Sequence, residues 1–199
     1  MPNYQLTGAA QANSWVLGSA KVEIAATVSG TAGDFTNLGL AREVSIEEII
    51  ERTSIQADNG PDFAKGIGRH QVRVSFSLIE FYLPTFDKIR GGIDSQTSGT
   101  AGSALYVATA WQALKTGGLE EITAKCYKLT NVKKVAGASK TTVVVIYSAT
   151  VDAGLTLSFQ SDNSDDPVMP VPFSAIGDLV ATRTENDQLF MIETSIGAT

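Results

Sequence analysis

The sequence predicts a mainly β protein, either a β-sandwich or a rolled β-barrel, with one flanking α-helix and long hairpin or loop arms. Three observations support this prediction. Apolar and polar residues alternate in several segments, glycine is abundant at 18 of 199 residues, and charged residues make up only 18%. Alternation is the pattern of a half-buried strand, and glycine suits tight turns. The length allows one domain over residues 1–199.

The first strand is predicted at Lys21–Val28, where Val22, Ile24 and Val28 fall on one face and Lys21 and Glu23 on the other. A Gly-rich turn follows at residues 30–34. The next segment allows two interpretations. Ser45 followed by Glu48 is a capping-box pattern typical of a helix start, whereas a strand over 44–55 would mix apolar and acidic residues on both faces. The residues alone leave strand or helix open for 44–53.

The clearest strand is Gln71–Phe81, in which apolar and polar residues alternate. A turn-rich segment precedes it, so we expect a mobile loop over 56–70, and the strands on either side of it are predicted to form a long hairpin. A short helix is predicted over residues 84–90, because Pro84 suits a first helical turn and Gly91 a helix end.

A linker-like loop rich in Gly, Ser and Thr is predicted over residues 93–103, and residues 104–114 are left open between strand and helix. Further strands are predicted at about 122–132, 141–147, 155–160, 169–174 and 188–194. The run Thr141–Tyr147 is almost entirely β-branched, which favours a buried strand.

Residues that could carry catalysis or bind metal are scarce. The chain has one histidine, His70, and one cysteine, Cys126. A zinc site needs several His or Cys ligands, and the aspartates at 162, 165 and 166 do not have the spacing of a calcium loop. The net charge of −6 provides no basic footprint for nucleic acid, and no apolar run is long enough to span a membrane. We therefore expect a structural protein, not an enzyme, without cofactor or metal.

The order of four stretches resembles the tail tube (major tail) proteins of long, non-contractile-tailed bacteriophages and their prophage relatives. These stretches are NLGLAREVSIEE at 37–48, ADNGP at 57–61, VRVSFSLIEF with LPTFDKIRGG at 72–92, and FQSDNSDDPVMPVPF with ENDQLFMIE at 159–193. The resemblance implies that 44–57 is a strand. It also implies subunits that assemble into stacked six-membered rings around a channel for DNA ejection. The chain would then be built into the virion tail after assembly in the bacterial cytoplasm.

The resemblance implies partners as well: copies of the chain itself, a tape-measure protein, a tail terminator and tail-tip proteins. DNA would pass through the lumen without specific binding, because repeated cationic contacts to phosphate would retain it. An acidic or polar lining is therefore expected, for which the candidates are Glu47, Glu48, Glu51, Ser75 and Ser77. The candidates for contact with a neighbouring subunit or ring lie in the 56–70 loop: Asp58, Asn59, Gly60, Pro61, Phe63, Gly66 and Gly68.

Two other functions stay open at this point. A tube protein of a contractile tail, tailocin or secretion system would have the same ring fold, with a sheath bound outside it. A β-sandwich module that binds carbohydrate or a receptor would be a monomer with an exposed aromatic cluster. The aromatic residues, 8% of the chain, are scattered along the sequence.

Overall fold

A computed structural model describes residues 19–26, 35–55, 64–79, 83–90, 95–99, 111–115, 117, 121–135, 138–152, 154, 171–185 and 187–195. These residues form nine strands and one helix, in the order β1 (Ala20–Ala25), β2 (Thr36–Ile55), β3 (Ala64–Leu78), α1 (Leu83–Ile89), β4 (Ser95–Gly99), β5 (Trp111–Lys115), β6 (Lys125–Val135), β7 (Ala138–Val151), β8 (Val171–Gly177) and β9 (Phe190–Thr194).

Six of these strands close into a barrel. The sheet order is β6-β1-β2-β3-β8-β7, every pairing is antiparallel, and β7 also pairs with β6. On the side of β7 away from β6, the strand pairs first with β9 and then with β8. The predicted mainly β class is confirmed, and of the two predicted architectures the rolled barrel is the one observed.

The barrel interior is filled by alternate residues of the strands. Val72, Val74 and Phe76 of β3 are almost completely buried, as are Val22 and Ile24 of β1. Helix α1 adds Phe86 and Ile89 to the same core. The Phe86 ring lies 5.4 Å from that of Phe173 in β8, which itself lies 5.6 Å from Phe76. Full burial of such side chains stabilises the fold by about 1.5–3 kcal/mol each, so α1 is held to the barrel by its apolar face.

Strand β7 is buried on both faces, which explains its β-branched sequence. Val144 and Ile146 point into the barrel core, whereas Val145 and Tyr147 belong to a second apolar cluster with Cys126 on the other side of the sheet. A strand that is covered on both faces has no solvent side and therefore shows no polar alternation.

Several predicted boundaries differ from the structure. Residues 44–53, left open by the residues alone, are strand as the resemblance implied, because pairing with β3 outweighs the local helix signal of Ser45 and Glu48. Of the predicted 56–70 loop, residues 64–70 belong to β3, and residues 56–63 lie outside the described part of the chain. The predicted 93–103 loop contains β4, and β5 occupies the end of the open 104–114 segment. The strand predicted at 155–160 lies outside the described residues.

A bulge in β2 explains why the alternation of this strand is difficult to read in the sequence. Ala41 and Val44 both face the core, with Arg42 and Glu43 between them, and the register with β3 shifts by one residue there. Glu43 has a φ of 56°, a left-handed conformation that is uncommon for residues other than glycine. The Ser77 hydroxyl donates a hydrogen bond to Glu43 Oε2 at 3.2 Å and helps to hold the bulge.

Candidate assembly surface

The β2–β3 hairpin continues beyond the barrel. β1 pairs with β2 only over Thr36–Ala41, and β8 pairs with β3 only over Val72–Leu78, but β2 and β3 pair with each other out to Ile55 and Ala64. We call the part of the hairpin beyond β1, Ser45–Ile55 with Ala64–Ser75, the arm. It is two-stranded over Ile49–Ile55 and Ala64–Gln71, because Val72–Ser75 also pair with β8. A two-stranded ribbon is marginally stable by itself in water.

Both outer edges of the arm lack a partner strand within the described part of the chain. We call them the β2 edge, Arg42–Ile55, and the β3 edge, Ala64–Gln71. An unpaired edge presents N–H and C=O groups that can template pairing with another strand. The arm therefore has the geometry of a surface that adds strands.

One face of the arm is charged but balanced. Residues paired directly across an antiparallel ladder share a face, so Glu47 lies beside Arg73 and Glu51 beside Arg69. The Glu47 Oε2 to Arg73 Nη1 and the Glu51 Oε1 to Arg69 Nη1 distances are both 3.5 Å. Arg73 Nε also lies 3.9 Å from Asp152 Oδ2. We call this the charged face. Its two glutamates are each neutralised by an arginine.

The opposite face of the arm continues the barrel core outward, and we call it the core-side face. Ile46 packs against the core. Farther out come Glu48 and His70, with 2.6 Å between Glu48 Oε1 and His70 Nε2. Ile50 and Ile67, which lie beyond the barrel, are 46% and 61% exposed. These two side chains extend the apolar character of this face beyond the barrel.

The predicted lumen candidates fall on different faces. Glu47, Glu51, Ser75 and Ser77 share the charged-face side of the sheet, whereas Glu48 lies on the core-side face with His70. Ser77 is only 7% exposed, and its hydroxyl is already hydrogen-bonded to Glu43. The structure thus brings together Glu47, Glu51 and Ser75 as exposed or half-buried side chains on one face, and it separates Glu48 from them.

The predicted loop candidates are divided as well. Asp58, Asn59, Gly60, Pro61 and Phe63 lie outside the described residues, and Gly66 and Gly68 lie in β3. Gly68 marks a second bulge, where the register shifts between Glu51 and Arg52. A Cβ at position 68 would lie 2.3 Å from Thr53 Oγ1, whereas a Cβ at position 66 would meet open space. Gly68 thus allows the two strands to stay close across the bulge.

Sequence reasoning missed Arg69 and the exposed isoleucines of the arm. Arg69 and Arg73 balance the glutamates only because the β2–β3 register places them opposite Glu51 and Glu47. Ile50 and Ile67 are exposed only because the hairpin extends beyond the barrel. The signal in the sequence was a matching spacing, because Arg69 and Arg73 are four residues apart and so are Glu47 and Glu51. Reading that signal requires the register, which depends on the bulge at Glu43.

A polar cluster lies on the other side of the barrel, away from the arm. The Tyr147 hydroxyl donates a hydrogen bond to Asp187 Oδ1, and Arg183 donates to Asp187 Oδ2. The Arg183 guanidinium lies 3.8 Å above the Tyr147 ring centroid. These hydrogen bonds, from Tyr147 first and Arg183 second, lower the pKa of Asp187. The cluster fastens Arg183 and Asp187 to Tyr147, a member of the second apolar cluster.

Cys126 lies in that second apolar cluster and is fully buried, and burial raises the pKa of its thiol to about 11. Such a thiol is inert near neutral pH. Among the described residues, no group of three or more His, Cys, Asp or Glu side chains is arranged to hold a metal ion. In the same part of the chain, no helix is long and apolar enough to cross a membrane.

Comparison with known proteins gives similarities of structure only. No family model matches the sequence, and no curated protein matches it. The cryo-EM structure of the anti-feeding prophage cap (the AFP tube terminating cap) is similar over 96% of this chain and 99% of that chain, with 10% identity and a TM-score of 0.45. The crystal structure of an Hcp protein is similar over 89% of this chain and 99% of that one, with 10% identity and a TM-score of 0.37.

Proposed function

We propose that this chain is the structural subunit of a phage-type tail tube, which assembles with copies of itself into rings that stack around a channel for DNA. The proposal is supported by the order of sequence stretches that resembles tail tube proteins and by the β2–β3 arm. The observation that carries it is the arm with its two unpaired edges, since a monomeric binding module has no use for a ribbon that leaves its barrel.

The two edges of the arm are different surfaces, so they favour ring formation. Pairing of the β2 edge of one copy with the β3 edge of the next is a heterologous contact, which gives a ring when the rotation from copy to copy closes. The strands alternate in direction within each arm and across each such contact, so the arms of a ring would form one continuous antiparallel barrel. Closure in this way removes every edge.

The two faces of the arm suit the two sides of such a barrel. The core-side face, with Ile50 and Ile67, would be covered by the body of its own or a neighbouring subunit. The charged face, with Glu47, Glu51 and Ser75, would line the channel. Its arginines are paired with carboxylates, so they offer little net attraction to DNA phosphates. The proposal leaves Glu48 outside the lining and keeps the 58–63 segment as the contact between rings.

The experiment is negative-stain electron microscopy of purified protein, fresh and concentrated, for the unmodified chain and two matched variants. Ile67→Lys adds a charge to the arm, and Val132→Lys adds the same charge to an equally exposed position on β6; each position is 61% exposed. We expect rings or tubes from the unmodified chain and from Val132→Lys. Ile67→Lys is expected to stay a folded monomer with an unchanged melting temperature.

A protein that stays monomeric at every concentration, even with a preformed tail tip as initiator, would contradict the proposal and favour the binding-module alternative. Tubes formed equally by Ile67→Lys would leave the tube function standing but remove the arm from the interface.

A further inference from the structure

A gap one strand wide lies beside the arm, next to the first residue of β1. β1 lies between β2 and β6 and is antiparallel to both, so β2 and β6 run in the same direction. β1 begins at Ala20, which pairs with Ala41, but β2 continues to Ile55 and β6 to Val135. Within the described residues, the β2 edge and the end of β6 therefore face a space that no strand fills.

The floor of this gap is an apolar groove, which we call the side groove. It is lined by Val44 and Ile46 of β2, Leu129 of β6 and Val144 of β7, with Asn131 and Thr142 at its polar end. Val44 and Ile46 are only half-buried, although they pack against the core. An extended segment lying in the gap would cover these apolar side chains and satisfy the β2 edge at the same time.

Asn131 indicates where that segment comes from. Its Nδ2 donates a hydrogen bond of 2.6 Å to the carbonyl oxygen of Ser19, the residue just before β1. Its Oδ1 is buried and has no hydrogen-bond donor among the described residues. A buried acceptor without a donor is costly, about 1–3 kcal/mol, and a backbone N–H of a strand entering the gap at Ser19 would supply the donor.

The chain before Ser19 is long enough and has the right composition. Residues 1–18 can run along the whole β2 edge, since both would be extended, and they include the apolar run Trp15, Val16 and Leu17. If the β1–β2 register is extended past the extra residue Glu43, Gly18 falls opposite Val44, Leu17 opposite Ser45 and Val16 opposite Ile46. This register puts Val16 on the same face as Ala20, above the side groove.

We propose that in the free subunit the chain's own N-terminal segment extends β1 into this gap and covers the β2 edge, and that ring formation displaces it. The inference rests on the proposed function, because the covered edge is the one assigned there to the neighbouring subunit. A segment attached directly to β1 has an effective concentration in the millimolar range. In dilute protein the segment therefore outcompetes a second copy for the β2 edge. It is displaced only when many subunits come together and offer their β3 edges at once.

Disulfide trapping tests the proposal. We would make Leu17→Cys with Ser45→Cys, and Val16→Cys with Ile46→Cys, in the full chain; the buried Cys126 can stay. The control is Leu17→Cys with Ser98→Cys, because Ser98 is exposed in β4 of the separate β4–β5 sheet. In dilute protein under mild oxidation, we expect one intramolecular disulfide at monomer mobility for at least one test pair and little for the control.

The oxidised test pair is expected to lose assembly, and reduction is expected to restore it. Cross-linking at the control level for both pairs would overturn the inference, as would a ladder of disulfide-linked multimers, since a second copy would then be the occupant. The two proposals fail separately: absence of tubes under every condition contradicts the proposed function, whereas the cross-link in the free subunit is read without any tube.

Discussion

At the scale of single residues, the best-defined polar contact is the one between Tyr147, Asp187 and Arg183. Burial and the hydrogen bond to Asp187 together raise the pKa of Tyr147 to about 12, so its hydroxyl remains a donor at neutral pH. Asp187 must be ionised to accept from both Tyr147 and Arg183. Arg183 and Asp187 are distant in sequence from Tyr147 of β7, so no local sequence pattern could have predicted the cluster.

This cluster predicts a pH-dependent stability. The pKa of Asp187 is lower in the folded chain than its ordinary value of 3.8. Its stabilisation is therefore present above the ordinary value and is lost as the pH falls through the lowered folded value. We expect Asp187→Asn to lower the melting temperature at neutral pH and to lower it by less at an acidic pH below 3.8.

Tyr147→Phe is the companion variant, because it removes only the hydroxyl and is expected to cost about 1 kcal/mol at neutral pH. Thermal unfolding at both pH values is the measurement. An equal loss for Asp187→Asn at both would show that its effect does not depend on ionisation.

At the scale of elements, the arm and the barrel differ in what holds them. The barrel strands have partners on both sides and a continuous core, whereas the outer arm has one ladder, exposed isoleucines and two exposed ion pairs. Exposed pairs of this kind contribute about 0–1 kcal/mol each. The arm is therefore expected to open locally without unfolding the barrel.

Hydrogen exchange checks this difference. Amides of the β3 edge, Ala64–Gln71, are expected to exchange at least about tenfold faster than those of Val72–Leu78 in the same strand, because only the latter are also paired with β8. In assembled tubes the difference is expected to disappear. Equal protection of both halves in the free subunit would mean that the arm is not an independently opening element.

The regular period of the buried face predicted β1, β3 and the helix at 83–90, whereas β7 was predicted from its run of β-branched residues. The sequence left residues 44–53 open because apolar and acidic residues are mixed on both faces there. In addition, Ser45 and Glu48 form a helix-like pattern, which pairing with β3 overrides. The charged face was half predicted: the glutamates are visible in the sequence, but their pairing with Arg69 and Arg73 depends on a register that only the folded hairpin defines.

At the scale of the whole molecule, the barrel closes where β8 meets both β3 and β7. Gly177 pairs with Val72 on one side and with Ala149 on the other. A Cβ at this position would lie 2.7 Å from Val72 Cγ1 and 3.0 Å from the Ser148 carbonyl oxygen. A glycine is thus required by the close approach of three strands, not by its backbone angles.

Gly177→Ala is therefore expected to destabilise the fold by about 1–3 kcal/mol through overpacking. Gly154→Ala is the matched control, since a Cβ there meets nothing within 4 Å, and its effect is expected to stay within about 0.5 kcal/mol. Urea denaturation of both variants measures the difference. A neutral Gly177→Ala would show that the barrel seam can relax.

A second prediction at this scale concerns the proposed channel. Replacing Glu47 and Glu51 by lysine removes the paired carboxylate of Arg69, leaves Arg73 only its contact with Asp152, and makes the charged face strongly cationic in every subunit. We expect tubes that form normally but bind DNA in a salt-dependent way, as measured by co-sedimentation. Glu193→Lys, an exposed change on β9, is the control. DNA retention equal in both variants would contradict the channel assignment of the charged face.

The separation of arm and barrel also has a consequence for the lifetime of the protein in a cell. Arg52 and Arg69 lie exposed on the arm, so a trypsin-like protease can cut there as soon as the ribbon opens, while the barrel stays intact. Subunits built into a ring would hide both bonds. Surplus copies would then be degraded and assembled copies spared, so that turnover itself matches the supply of subunits to the number of places available for them.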